Sequence, residues 1–292
     1  MPPRDLVIGA YSGYDWSRVK FWANSLVRSG FDGYKVVVVY ESDADTVQAL
    51  VDLGFMIVAF RRDETGFHYL TDDDKPIHVG RFLHFWKTLT DIPAEHRPRY
   101  VIATDVRDVV FQLNPSTWLE HRFSSIGRQF IIAPTEPIQL QHEPWGIDNF
   151  SKCFGPIFYR YWKERSVYNV GTLAGTFDYM KDLCLSIYQT SFGRPIDVID
   201  QTVFNFLLGL QPWKDHAEFL PMHEGWACQA GVTANPVMLP TFKPHLLEDE
   251  PTWDPPIVRT KSGEPFCLVH QYDRVPEWRS AIEHEYDDKL VT

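Results

Sequence analysis

Asp105-Val106-Arg107-Asp108 sets two carboxylates around one guanidinium directly after the short apolar run Tyr100–Ala103. A run of that kind, β-branched and aromatic, reads as a buried strand. Carboxylates at the mouth of such a strand are costly unless their charge is offset. Arg107 can neutralise one of them, and a hard divalent cation could be shared by both. In open α/β sheets ligands sit beyond the carboxyl ends of the strands, which is where this turn falls. The alternative is a surface salt-bridge cluster of Asp105, Arg107 and Asp108 that only caps the strand.

Other chemically capable residues lie on either side of the turn. His270 ends the last apolar run, Pro265–His270, and reads as a metal ligand or as a satisfied structural histidine. Asp200-Gln201 opens a helix that runs through Leu208, so Asp200 is a candidate general base or simply an N-cap. Glu136, where the predicted strand that begins Phe130–Pro134 ends, and Glu224 are further candidate bases and equally plain structural residues. Asn169-Val170-Gly171, with Gly175 beyond, suggests a tight turn or a close approach of backbone to a ligand. Arg81 and Lys87 fall on a predicted helix, His78–Leu89, where they reach solvent or a phosphate. Trp145, Trp162 and Trp226 are available as an acceptor platform, although Trp is by default a core residue.

The elements that must position these groups are well marked in the N-terminal third. Leu6–Ala10, Tyr34–Tyr40 and Phe55–Phe60 read as buried strands, and Trp16–Arg28 and Ala44–Leu53 as helices stopped by Gly30 and Gly54. Strand and helix alternating in this way imply a doubly wound parallel sheet with crossover helices on both faces. The loop Gly9–Tyr14, GAYSGY, is not GxGxxG, which disfavours a dinucleotide-binding dehydrogenase. Asp63–Lys75 reads as a polar, acidic loop. Asn114-Pro115 reads as a break, Trp145–Phe154 as irregular, and Tyr179–Tyr188 as a helix. Further on, Phe219–Pro221 and Val237–Leu239 read as strands, Pro244–Ile257 as a loop, and Trp278–Tyr286 as a terminal helix. There is no internal repeat or low-complexity linker, so one α/β domain is expected across 1–292.

Composition narrows the function classes. A formal net charge of −11 argues against a nucleic-acid groove, which needs clustered Lys and Arg. An acidic chain that handles a nucleotide needs local positive charge, most simply a bound metal. Aromatic residues make up 15% of the chain, enough to supply stacking platforms as well as core. Cys153, Cys184, Cys228 and Cys267 form no CxxC pair, so reduced thiols are expected and a structural zinc is not. No stretch approaches the roughly 20 apolar residues of a membrane span, and MPPRDLVIGAYSG lacks the apolar region of a signal peptide. A cytoplasmic protein without its own membrane anchor is therefore expected.

In this order, the pieces resemble the GT-A class of nucleotide-sugar-dependent glycosyltransferases, over most of residues 6–275. The wording DVRDVVFQ is similar to a little-characterised branch of bacterial, plant and algal-virus transferases. The resemblance implies a doubly wound, Rossmann-type mixed sheet, with 6–112 as the nucleotide-sugar-binding half and 113–292 as the acceptor-side half. It implies a DxD-type turn holding Mn²⁺ or Mg²⁺ against the donor diphosphate, with Asp105, Asp108 and His270 as ligands. The second carboxylate stands one place later than in a strict DxD. Ala10, Tyr11, Ser12 and Tyr14 match the first nucleotide-binding loop, with Tyr11 placed to stack on the base. Thr104, Val106 and Arg107 flank the metal turn, and Arg81 occupies the place of a basic residue facing the donor. Asn169 and Gly171 resemble the segment facing the donor sugar, and Asp200 and Gln201 the pair near the anomeric carbon, with Glu136 as another candidate base. The implied activity is transfer of a sugar from a UDP-sugar, more readily than a GDP-sugar, to a hydroxyl of a glycan or other acceptor. Retaining and inverting outcomes both stay open. The alternatives are a sugar-nucleotide nucleotidyltransferase, disfavoured because GAYSGY has no basic residue, and a non-catalytic carbohydrate-binding or scaffold protein.

Overall fold

The computed structural model describes residues 4–60 and 77–287; the Asp63–Lys75 loop expected above lies outside the described residues. The N-terminal unit runs β1 (Leu6–Tyr11), α1 (Trp16–Arg28), β2 (Tyr34–Val39), α2 (Ala44–Asp52) and β3 (Phe55–Ala59). All six β1 residues are buried, and successive side chains part to opposite faces. Leu6, Ile8 and Ala10 join one apolar cluster, while Val7 and Tyr11 join another that contains Trp22 and Leu26 of α1. A strand buried on both faces cannot alternate polar and apolar residues, which is why LVIGAY is continuously hydrophobic. Asp43 fixes the start of α2 by accepting from Thr46 N at 2.7 Å, and Gly54 ends it in the left-handed conformation at φ 79°.

The chain then adds α3 (Ile77–Thr90), β4 (Tyr100–Thr104), β5 (Val109–Phe111), α4 (Pro115–Phe123), β6 (Ile131–Gln139), α5 (Pro144–Trp162), β7 (Ser166–Tyr168), β8 (Thr172–Thr176), α6 (Phe177–Ser191), α7 (Asp200–Leu207) and β9 (Ala217–Leu220). The main sheet has the order β3-β2-β1-β4-β8-β6-β7, with β9 paired to β6. The pairs among β3, β2, β1 and β4 are parallel, whereas β4/β8, β8/β6 and β6/β7 are antiparallel. The parallel order implied by the first sixty residues thus gives way to a mixed sheet, and β4 stands at the change of direction. Its last pair is Thr104 with Thr172, so the chain leaves β4 beside the residue that precedes β8.

A second, smaller sheet turns that exit into a site. It consists of β10 (Ala227–Gln229), β13 (Leu268–His270) and β5 in that order, while β11 (Thr252–Asp254) and β12 (Ile257–Arg259) form a separate hairpin. β13 pairs antiparallel with β5, setting His270 opposite Val109, and parallel with β10, setting Gln229 opposite His270. The helix Pro276–Glu285 closes the described chain. Among the described residues no helix is long and apolar enough to cross a membrane.

Four local expectations are corrected. Trp145–Phe154 is helical, forming the first part of α5: Glu143 caps it, and the buried Asn149, Phe150 and Cys153 recur at helical spacing. The Gly155-Pro156 kink hides that period in the sequence. Asn114-Pro115 opens α4, since Asn114 accepts from Ser116 N at 3.0 Å and Pro115 takes the first helical position. Val237 and Met238 form a turn and Leu239 opens the short helix Leu239–Phe242, because Asn235 Oδ1 accepts from Val237 N and its carbonyl accepts from Leu239 N. Pro244–Ile257 contains β11.

Candidate active site

Asp105 and Asp108 leave the C-terminal end of β4, and the turn between them folds over Gly9. A Cβ at Gly9 would lie 2.6 Å from Val106 Cγ2, so only glycine in β1 leaves room for it. Each carboxylate has one oxygen held by an arginine and the other turned to a shared space. Asp105 Oδ1 pairs with Arg81, and Asp108 Oδ2 accepts from Arg107 at 2.9 Å. The free oxygens face His270: its Nε2 lies 3.4 Å from Asp105 Oδ2 and 3.8 Å from Asp108 Oδ1. Ligand atoms from the three residues lie within 4.8 Å of one another.

The rest of the local structure holds this arrangement. Gln229 Oε1 accepts from His270 Nδ1 at 2.8 Å, and Gln229 Nε2 donates to Thr172 Oγ1 at 3.2 Å. With the proton at Nδ1, Nε2 presents a lone pair, and it is buried without a hydrogen-bond partner. Gln271, at φ 59°, turns the chain back so that its N–H donates to Asp108 O at 2.7 Å. Opposite stands Gly171, whose carbonyl accepts from Asp105 N at 2.9 Å. A Cβ there would lie 2.7 Å from Asp105 Oδ2 and 2.9 Å from His270 Cε1. The orphaned Nε2, the paired free oxygens and the glycine gap fit a hard or borderline divalent cation. Charge agrees: the linked carboxylates of Asp105, Asp108, Asp200 and Asp273 outnumber the guanidiniums of Arg81 and Arg107 by two.

Arg81, buried on α3, joins Asp105 to Asp200, whose Oδ2 it meets at 3.1 Å. Sharing one guanidinium divides the two acids. For Asp105, burial works upward, but Arg81 and then His270 outweigh it and hold the carboxyl well below the usual range. For Asp200, burial prevails over Arg81 and, with the charge of Asp105, raises the pKa. His270 is pulled down by burial and more strongly raised by Asp105 and Asp108, so proton and cation compete for the same side chains. The cap of α7 is Ile199, and Asp200 is the first helical residue.

The wall beyond carries a hydrogen-bonded trio. Asn169 Nδ2 donates to Glu136 Oε1 at 2.8 Å, and Gln201 Nε2 donates to the same oxygen at 3.2 Å. Asn169 Oδ1 accepts from Gly171 N at 2.7 Å, which links the trio to the acidic turn. All these residues line one cleft of about 540 Å³, together with Ala10, Tyr11, Ser12 and Tyr14 from the first loop. Tyr11 is 1% exposed, its hydroxyl is 2.9 Å from Ser42 Oγ, and its ring lies parallel to that of Tyr14. The half-buried Tyr14 therefore offers the more accessible ring.

Several expected residues lie elsewhere. Thr104 points away from the cleft, where its hydroxyl accepts from Trp22 Nε1 at 2.9 Å. Trp226 donates to Thr172 O from within the core, and Trp162 lies in a separate apolar cluster. Glu224 pairs with Arg122, and Lys87 with Asp91. Trp145 does line the cleft, 43% exposed, beside Glu143, Val232, Met238 and Phe242. Burial and the charge of Glu136 push Glu143 up to about 7, against two backbone N–H donors. Sequence reasoning missed Gln229, Glu143, Asp273 and Arg274. The exposed Arg274 also faces the cleft, from the turn after His270.

No family model matches the chain, and no curated protein does. Solved structures do. The bifunctional glycosyltransferase WbbM, in its apo form, matches with a TM-score of 0.58 at 12% identity, over 99% of this chain and 50% of its own. The present chain thus spans about half the length of WbbM. The galactosyltransferase LgtC, in complex with donor and acceptor sugar analogues, matches at 0.50 and 13% identity, over 91% of this chain and 86% of its own. An active-site mutant of LgtC gives 0.51 at 12% identity over the same shares. At such identities the likeness is one of architecture. The chain has the GT-A fold found in glycosyltransferases.

Proposed function

We propose that the chain is a metal-dependent glycosyltransferase moving a sugar from a nucleoside-diphosphate sugar to a hydroxyl of a glycan or other acceptor. The observation that carries this reading is the convergence of Asp105 Oδ2, Asp108 Oδ1 and His270 Nε2 at the end of β4. It sits in a cleft lined also by Tyr11, Tyr14 and the trio of Asn169, Gln201 and Glu136. Asp105, Asp108 and His270 would hold Mn²⁺ or Mg²⁺, which supplies Lewis-acid stabilisation of the charge developing on a diphosphate leaving group.

The chain's own residues account for the remainder. Residues 6–112 serve as the nucleotide-sugar-binding half, completed by Asn169, Gln201, His270 and Arg274 from the other half; Ala10, Ser12 and Tyr14 receive the nucleoside, Tyr14 offering its ring to the base. A uridine nucleotide is proposed ahead of a guanosine one. Arg107 and Arg274 face the diphosphate as cations. Gln201, oriented by Asn169 Nδ2 at 3.2 Å, offers its amide to the donor sugar's hydroxyls, while Arg81 keeps Asp200 beside it. Asp200, with its raised pKa, and Glu136 are the carboxylates placed to stabilise positive charge at the anomeric carbon or to accept the acceptor's proton. Residues 113–292 serve as the acceptor side, with Trp145 as its exposed platform.

The test is incubation with a panel of UDP- and GDP-sugars and Mn²⁺, following release of free nucleoside diphosphate. Release that needs both the metal and Asp105 supports the reading. No release from any nucleotide-sugar, with or without glycan acceptors, contradicts it.

A further inference from the structure

A second cavity, of about 320 Å³, lies behind the sugar-facing wall. β7 and α7 separate the two spaces: Asn169 and Gln201 face the cleft, whereas Tyr168 and Asn205 face the cavity. Asn205 ties the partition together, donating to Tyr168 O and Gln201 O and accepting from Tyr168 N, all within 2.9 Å.

The lining has an unusual charge for so acidic a chain. Arg165 and Lys214, both exposed, contribute two cations at its rim, and among the described residues no carboxylate lines the cavity. The acids nearest in sequence are engaged elsewhere: Glu164 with Lys163 at 3.6 Å, Asp215 with Gln211 at 2.6 Å, and Glu218 with Arg128. Among the described residues, neither Arg165 nor Lys214 forms an ion pair.

Aromatic rings complete the cavity. The Arg165 guanidinium lies 4.6 Å from the Trp162 ring centroid, which holds it across the wall. Gly209 makes that possible, since a Cβ there would lie 2.2 Å from Trp162 Cζ2 and 2.8 Å from Arg165 Nη1. Phe219 is 43% exposed and meets Tyr168 with ring centroids 5.1 Å apart, leaving an accessible apolar face beside the cations. Ser166 adds a polar group.

We propose that this cavity is a second carbohydrate-binding site, taking an anionic sugar residue whose ring packs on Phe219 and whose acid group pairs with Arg165 and Lys214. The size suits a small-molecule ligand, and charge-assisted contacts from two cations select an acid over a neutral sugar. Two sources share this chemistry, a carboxylated sugar such as a uronic acid and a phosphorylated sugar. Binding here does not depend on the transfer reaction, so its failure leaves the reading of the main cleft untouched.

The test is ¹⁵N-resolved NMR titration of the full chain with trigalacturonate, glucose 6-phosphate, maltotriose and inorganic phosphate in turn. Saturable shifts at the amides of Ser166, Tyr168 and Asn205 with an acidic sugar, and none with maltotriose, are expected. The acidic ligand that binds more tightly identifies the source. The double variant Arg165→Gln/Lys214→Gln should weaken binding at least tenfold, and Phe219→Ala severalfold, with Tm and nucleotide binding unchanged. Inorganic phosphate binding as well as either acidic sugar, or no shift with either of them, overturns the proposal.

Discussion

Gln229 Oε1 accepts a hydrogen bond from His270 Nδ1 at 2.8 Å, and that contact decides which nitrogen of His270 faces the two aspartates. Because Gln229 is fully buried and its amide is oriented by Thr172, the proton is held at Nδ1. Replacing Gln229 with Leu removes the acceptor and frees the ring. Mn²⁺ affinity should fall about 10–100-fold, the range for loss of a contact supporting a ligand, while the circular dichroism spectrum stays that of the parent. Titration of Mn²⁺ by electron paramagnetic resonance reads this directly, and unchanged affinity would show that the contact is only structural.

Gly171→Ala probes the space itself. The added methyl would intrude to 2.7 Å from Asp105 Oδ2, on the side facing His270. Loss of metal-linked nucleotide binding is expected with the fold intact, since the surrounding strand pairing involves backbone only. An alanine variant that binds Mn²⁺ as the parent does would mean the free carboxylate oxygen is not a ligand.

Arg81→Met should be severe. It leaves Asp105 and Asp200 without their shared cation in a mostly buried position, and breaking such an ion pair costs about 3–5 kcal/mol. Urea denaturation would register this as a lower midpoint. A saturating divalent ion should restore part of the loss by neutralising Asp105, and absence of any rescue would separate Arg81 from the metal turn.

Glu143 gives a pH prediction. Its pKa is raised to about 7 in the folded state by burial and Glu136, against an ordinary value of about 4.3 for Glu. The folded state then binds more protons than the unfolded between those values, so stability declines as pH rises through that window. Glu143→Gln should flatten the decline, by roughly 1–2 kcal/mol after discounting for partial exposure. Thermal denaturation at pH 5 and pH 7.5 tests it, and an equal pH dependence in parent and variant would contradict it.

The parts legible in sequence are those whose signal is local. β1, α1, β2, α2 and β3 were bounded by caps and glycines and fall within a residue or two of the expected limits. Asp105 and His270 were visible because each ends an apolar run, and strand ends are where ligands collect. Gln229 was not, since its part depends on β10 meeting β13 across a gap of about forty residues, a pairing with no local trace. Glu143 was hidden by the Pro144 and Gly146 that follow it, although it caps a helix. Thr104 shows the limit of reading a motif by adjacency: strand alternation turns it toward Trp22, one residue before the turn faces the cleft. Trp162 and Trp226 could be assigned to core only once their neighbours were in place.

The central claim is that a divalent ion couples the acidic turn to a nucleoside diphosphate, and isothermal titration calorimetry of UDP with and without Mn²⁺ tests it most directly. Binding should be at least tenfold tighter with Mn²⁺, and Asp105→Asn should abolish that difference while keeping the parent's fold. UDP and GDP affinities indifferent to the metal, or a metal effect that survives Asp105→Asn, would contradict it.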